Sequence, residues 1–149
     1  MINIDLPSSP LAESTPLSKS ALTRFLNRAR AAVGISGEVE VLLTSDAELK
    51  RLNKSFRGKN KATDILSFPA LPEIAEQHAG DLAISLETAA RQAKEHSHTL
   101  PDEVKILLLH GLLHLDGEDH ETDSGEMAER EMELRKRLKL KTALIERAK

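Results

Sequence analysis

Apolar residues recur along the chain with two different periods, which predict both helices and strands. Over Lys19–Val33 they follow a spacing of three and four, as on one face of an amphipathic helix. Ser18 precedes this segment as an N-cap, and Gly34 follows it as a residue that can end a helix. Glu38–Thr44 instead alternates before it becomes apolar, which is typical of a strand.

The same criteria predict further elements along the chain. Further strands are predicted at Ile2–Leu6, Thr63–Phe68 and Asp81–Ser85. Further helices are predicted from the Ser45/Glu48 capping box toward Phe56, from Ser85 to about His96, from Pro101 onward, and from an Asp123/Glu126 capping pattern to about Leu138. Ser8–Pro16 and Leu71–Ala79 are predicted loops. We therefore expect one α+β domain over 1–149, with a small mixed sheet of about four strands covered by helices.

The predicted helix after Pro101 is the most apolar of the chain and contains two histidines. Its sequence V-K-I-L-L-L-H-G-L-L-H-L is apolar nearly all round, which predicts a buried central helix. His110 and His114 are four residues apart, so both imidazoles lie on one face. Two buried imidazoles each need a polar partner, and one metal ion would serve both.

A third histidine follows in the run H-G-L-L-H-L-D-G-E-D-H, where Gly117 allows the chain to turn back toward His120. Three neutral histidine ligands leave one coordination position of a zinc ion open, as in catalytic sites. We expect one zinc per chain, with chance spacing and a structural zinc as the alternatives. The spacing matches the metzincin protease signature except that Gly111 replaces the glutamate base, which argues against peptide hydrolysis.

Composition limits the atoms that can bind a metal and indicates where the protein is located. The 149 residues include no cysteine, so nitrogen and oxygen atoms must hold any metal. The chain begins without a secretory signal, and no apolar run is long enough to span a bilayer. A cytoplasmic protein with no membrane partner is therefore expected.

Charge is segregated although the formal net charge is only -3. Acidic residues dominate positions 116–133, whereas positions 50–61 hold six basic residues and no acid: Lys50, Arg51, Lys54, Arg57, Lys59 and Lys61. Such a segment can be merely a solvated face. Beside a metal site, it also predicts a phosphate-binding surface. With no Trp or Tyr and three Phe, any nucleic acid would be held mainly through its phosphates.

Three segments together resemble the YbeY family. They are L-N-K-S-F-R-G-K-N-K-A-T-D-I-L-S-F-P, G-D-L-A-I-S and the histidine run, in the family's order and spacing. The resemblance implies zinc ligands at His110, His114 and His120, and an arginine acting beside the metal at Arg57. Asn60, Ala62 and Glu118 depart from the family's usual residues without removing a ligand or the arginine.

The resemblance also implies a function. Members of the family are bacterial zinc-dependent endoribonucleases, so we expect cleavage of single-stranded RNA in the maturation and quality control of 16S ribosomal RNA. The expected partners are ribosomal RNA, the small ribosomal subunit and ribosome-associated proteins. Lys54, Lys59 and Lys61 would hold phosphates that flank the scissile one. A ribosome-assembly factor with a structural zinc, or a metallopeptidase, are the alternative functions.

Overall fold

The computed structural model describes residues 2–4, 17–58, 63–117 and 124–140. These residues contain four strands: β1 (Ile2–Ile4), β2 (Glu38–Thr44), β3 (Ile65–Pro69) and β4 (His78–Ser85). They also contain five α-helices: α1 (Lys19–Val33), α2 (Asp46–Arg57), α3 (Leu86–Glu95), α4 (Leu100–Leu115) and α5 (Glu126–Arg137). No helix in this described part is long and apolar enough to cross a membrane.

The strands form one mixed sheet, which confirms the predicted α+β class. The strand order is β1-β2-β4-β3, with β1, β2 and β4 parallel and β3 antiparallel to β4. In the register, Val41 of β2 lies beside Leu82 of β4, and Leu82 lies beside Ser67 of β3. The edge strand β3 ends at Pro69, where proline is tolerated because its missing N–H is not needed by an inner strand.

The two faces of the sheet pack against different helices. Side chains that alternate along the inner strands, including Leu43 and Leu82, enter a large core shared with α1 and α4. On the opposite face, Leu66 and Ala83 pack against Leu49 of α2 in a smaller core. The sheet therefore separates α2 from α4, and its edge strand β3 runs between them.

Local capping places both ends of α1 and the start of α2 where the sequence predicted them. The Ser18 hydroxyl accepts a hydrogen bond from the Ala21 N–H at 3.1 Å, and Gly34 ends α1 in the left-handed conformation with φ 97°. Ser45 accepts from the Glu48 N–H at 3.2 Å. The Glu48 side chain, however, binds Arg51. The capping box predicted at Ser45 is therefore half formed.

The N-termini of α2 and α3 stabilise each other through their first-turn acids. Glu87 of α3 accepts from the Asp46 N–H at 2.8 Å. In return, Asp46 accepts from the Ser85 and Thr88 hydroxyls and pairs with Arg91 at 2.9 Å. Burial raises the pKa of Asp46, but these hydrogen bonds and the charge of Arg91 outweigh it and hold that pKa below its usual value.

Several predicted boundaries are wrong, and strand β3 covers Ile65–Pro69 rather than Thr63–Phe68. Strand β4 begins at His78 rather than Asp81, because the segment gains ladder pairing from Glu38 on one side and Pro69 on the other. The predicted loop of 71–79 therefore ends earlier and contains a short 3-10 helix, Pro72–Ile74. The N-cap of α5 is Gly125 rather than Asp123. Asp123 itself lies outside the described residues. So do residues 5–16, which include the predicted end of the first strand and the predicted loop that follows it.

Candidate metal centre

Helix α4 carries His110 and His114 through the middle of the protein. Its N-terminus is fixed by Thr99, whose hydroxyl accepts from the Asp102 N–H at 3.2 Å, and by Pro101 in the first turn. The helix is buried over most of its length, as its apolar sequence predicted. His110 is only 5% exposed, whereas His114, one turn later, is half-buried and reaches solvent.

The two imidazoles converge through their Nε2 atoms. These atoms lie 3.2 Å apart, and the ring planes cross at 74° with their centroids separated by 4.8 Å. Two nitrogens bound to one tetrahedral zinc at 2.0–2.1 Å would lie about 3.3 Å apart. The described pair therefore fits two adjacent ligand positions of a zinc site.

A buried carboxylate orients the inner histidine, and the sequence analysis did not identify it. Glu131 of α5 is 1% exposed, and its Oε2 lies 2.6 Å from His110 Nδ1. This contact leaves Nε2 of His110 as the nitrogen that faces His114. A signal was present in the sequence: Glu131 shares the apolar face of α5 with Met127 and Leu134, where an acid is out of place.

Asp64 and Asp81, two further acids near the sheet, contact partners other than His110 and His114. Asp64 accepts from the adjacent Ile65 N–H at 2.8 Å and from the Gln92 side chain at 3.3 Å. Asp81 is exposed and lies 3.5 Å from His78. Asp64 therefore caps the start of β3, and Asp81 pairs within β4.

The residue next to Glu131 fixes the position of α5 relative to the end of α4. Arg130 pairs with Asp116, the C-cap of α4, at 2.8 Å and also donates to the Val33 carbonyl. Gly117 follows with φ 93°, the left-handed conformation expected of a residue that ends the helix. The Arg130–Asp116 pair thus joins the second turn of α5 to the end of α4.

Gly111 faces the sheet rather than solvent. A Cβ at this position would lie 2.7 Å from Ile65 Cδ1 and 2.9 Å from Leu82 Cδ2, and the Ser67 hydroxyl donates to the Gly111 carbonyl at 3.5 Å. The glycine therefore allows β3 and β4 to approach the metal helix closely. A glutamate side chain has no space here, which agrees with the argument against a protease base.

Most of the other predicted site residues lie outside the described part of the chain. His120, Lys59 and Lys61 are not among the described residues, and of Arg57 only the backbone is described, as the last residue of α2. Lys54 is exposed on α2. Within the described residues, no group of three or more His, Cys, Asp or Glu side chains forms a metal-binding cluster. The full ligand set stays a prediction.

A groove of about 440 Å³ lies between α2 and the sheet, on the face opposite α4. Its walls are mostly apolar and include Leu52 and Phe56 of α2 and Phe68 of β3, whereas Glu40 and Asp81 also line it. Because two acids repel phosphate, this groove does not suit an RNA backbone. The histidine pair is the better candidate for the chemistry.

The fold and the histidine pair define a class: α+β proteins that carry two convergent imidazoles on a buried helix beside a mixed sheet. The family model for endoribonuclease YbeY matches residues 9–140. The chain belongs to that family. It is 54% identical to the endoribonuclease YbeY of Koribacter versatilis over 88% of this chain and 84% of that one.

Other relatives extend this similarity. The endoribonuclease YbeY of Solibacter usitatus is 49% identical over 88% of this chain and 86% of its own length. A chloroplastic endoribonuclease YBEY of Arabidopsis thaliana is 50% identical over 70% of this chain but only 18% of its own. The solution structure of TM1509 from Thermotoga maritima superposes with a TM-score of 0.53 at 31% identity, covering 87% of this chain and 83% of that one.

Proposed function

We propose that the protein is a zinc-dependent endoribonuclease that cleaves single-stranded RNA. The observation that carries this proposal is the 3.2 Å separation of His110 Nε2 and His114 Nε2, in a chain that belongs to a family of endoribonucleases. His120 is the third ligand, supplied by the segment after Gly117. A bound zinc ion supplies Lewis acidity and lowers the pKa of water.

The basic end of α2 binds the substrate in this proposal. Arg57 forms paired hydrogen bonds with the scissile phosphate and stabilises the charge that develops on it. Lys54, Lys59 and Lys61 bind flanking phosphates as point charges. Support for this role comes from the backbone of Arg57, which is the last residue of α2 and is followed by the left-handed Gly58 with φ 69°, and from the basic charge of positions 50–61.

The substrate proposed is 16S ribosomal RNA in the small ribosomal subunit, in the cytoplasm, with ribosome-associated proteins as further partners. Two alternatives are less well supported. Peptide hydrolysis requires a glutamate where Gly111 packs against Leu82. A structural zinc site is usually closed by four protein ligands, whereas the histidine run offers three.

Metal analysis combined with an RNA cleavage assay tests the proposal. We expect about one zinc per chain in the wild type and metal-dependent cleavage of a single-stranded RNA, with slower cleavage of the same sequence as a duplex. His114→Ala should lose both the zinc and the cleavage. His96→Ala, which removes an exposed histidine outside the motif, should retain both.

Different results would reject different parts of the proposal. Unchanged zinc content in His114→Ala would reject the ligand assignment. A zinc-loaded wild type that cleaves no RNA, alone or on ribosomal subunits, would favour the assembly factor. Zinc-dependent cleavage of unstructured peptides would favour the peptidase.

A further inference from the structure

We infer that Glu131 is a positioning residue of the metal centre, which accepts the Nδ1 proton of His110 and thereby aims its Nε2 lone pair at the metal. The inference deepens the proposed function and rests on it. Its basis is the 2.6 Å contact between Glu131 Oε2 and His110 Nδ1, which joins two side chains that are 1% and 7% exposed. A histidine ligand commonly donates its second ring N–H to such a carboxylate, which fixes the tautomer and the ring orientation.

The ring geometry separates this role from that of a metal ligand. Glu131 contacts the Nδ1 side of His110, while Nε2 of the same ring faces His114 at 3.2 Å. A metal held by the two Nε2 atoms would therefore be on the opposite side of the imidazole from the carboxylate. Glu131 acts on the metal through His110 rather than by coordinating it.

The free-energy cost of burying the Glu131 carboxylate argues against a purely structural role. Glu131 shares the buried face of α5 with Met127 and Leu134, so an apolar residue of similar size would pack there without the desolvation of a charge. A charge-assisted hydrogen bond to His110 offsets part of that desolvation while the ring keeps this orientation. The pair thus gives the inner ligand one preferred arrangement before the metal binds.

Helix α5 has other attachments, which makes the role testable without unfolding the protein. Arg130 holds α5 to Asp116 and to the Val33 carbonyl, and Leu134 is buried in the main core. Replacing Glu131 by glutamine preserves the size of the side chain and removes its charge. The substituted amide can also present its NH2 group to Nδ1, which favours the wrong tautomer of His110.

Zinc affinity of the folded protein is the decisive measurement. We expect Glu131→Gln to raise the zinc Kd by about 10–100-fold, measured by competition with a chromophoric chelator at neutral pH. Glu133→Gln, an exposed acid on the same helix, should leave the Kd within about twofold. Leu134→Ala should lower the melting temperature yet keep the zinc affinity of the folded molecules, because it alters packing without touching His110.

Nitrogen NMR of the zinc-bound protein gives a second readout. The wild type should show His110 coordinated through Nε2 with its proton on Nδ1, and that proton should move upfield in Glu131→Gln as the charged acceptor is lost. Coordination of His110 through Nδ1 would overturn the inference. So would a folded Glu131→Gln variant with the zinc Kd of the wild type.

The outcome also distinguishes this inference from the proposed function. A wild type that binds zinc and cleaves RNA, with a Glu131→Gln variant of equal zinc affinity, rejects the positioning role alone. A wild type that binds no zinc rejects both. Circular dichroism of each variant ensures that affinity is compared between folded proteins.

Discussion

Gly111 of α4 lies so close to Leu82 of β4 that a Cβ on the glycine would be 2.9 Å from a leucine methyl. The metal helix and the centre of the sheet therefore meet at a position where any side chain must displace its neighbours. Because His110 directly precedes this glycine, the close packing at position 111 also determines how far the histidine pair lies from β3 and β4.

Substitution of Gly111 should reveal how tightly this contact is packed. Gly111→Ala gains about 1 kcal/mol of helix propensity but loses about 1–3 kcal/mol to overpacking, so a small net loss is expected. The contacts it creates involve flexible ends of Ile65 and Leu82, which can shift. Gly111→Glu should lose several kcal/mol because it also buries a charge. Urea unfolding measures both.

Ala31→Glu is the matched control for the glutamate substitution, because Ala31 is an exposed helical position on α1. It should change the free energy of unfolding by less than about 0.5 kcal/mol. A Gly111→Glu variant as stable as this control would contradict the packing found at Gly111, and its activity on peptides would then need to be measured.

Arg57→Ala should lower the turnover of RNA by about 10²–10³-fold while zinc content and melting temperature stay unchanged, because the arginine acts on charge that develops in the transition state. Arg57→Lys should restore only part of the activity, since a point charge cannot form paired hydrogen bonds with a phosphate. Single-turnover cleavage assays separate turnover from binding.

Arg51→Ala provides the comparison for Arg57. Arg51 lies on the same helix but is exposed and paired with Glu48 at 2.5 Å, so its loss should change the cleavage rate by about twofold or less. Equal loss of activity in both variants would show that the general charge of α2 matters and not the particular arginine.

Replacing Lys54, Lys59 and Lys61 together by glutamine should weaken binding of many RNA sequences alike. Each phosphate contact with a single strand contributes about 0.7 to the slope of log affinity against log salt, so the slope should fall by about two units. Fluorescence anisotropy at several salt concentrations measures it. The same number of charges removed at the exposed Lys136, Arg137 and Lys139 should leave the slope nearly unchanged.

Zinc should raise the melting temperature of the wild type and not that of His110→Ala. A ligand at 100 times its Kd stabilises the folded state by about 2.7 kcal/mol if it does not bind the unfolded chain. With no cysteine, the unfolded chain offers few competing ligands. Thermal unfolding with added zinc, and again after chelation, measures this change in melting temperature. An equal rise in the melting temperature of His110→Ala would show that the zinc binds elsewhere.

Acid should remove the stabilisation that Asp46 supplies. Because the pKa of Asp46 is lowered in the folded protein, its contribution is complete above the unfolded value near 4 and is lost as the pH falls through the lowered value. Asp46→Asn should therefore be less stable at neutral pH and approach the wild type as the pH falls below about 4.

Denaturant unfolding at a series of pH values tests the role of Asp46. Glu95→Gln, at the exposed end of the same α3 that Asp46 contacts, is expected to follow the wild-type profile. A constant difference between Asp46→Asn and the wild type at every pH would contradict a contribution from the ionised carboxylate.

Much of this fold was predictable because its signals are local. Helix α1 begins after Ser18 and ends at Gly34 as predicted, since a capping hydroxyl and a left-handed glycine act within one turn. The pairing of His110 with His114 was also predictable, because a spacing of four residues brings two side chains together on any helix.

Features that depend on distant parts of the chain could not be predicted, because they arise from tertiary contacts. Strand β4 begins at His78 because β2 and β3 supply its hydrogen bonds, which the sequence of the segment does not reveal. Glu131 contacts His110 across 21 residues of sequence, and Gly111 meets β3 and β4 only once the layers pack. Local sequence accounts for which side chains could bind a metal and for which turns would form. The packing of α5 and the sheet against α4 determined how those side chains are held, because the energy of burying a carboxylate or excluding a Cβ exists only between elements in contact.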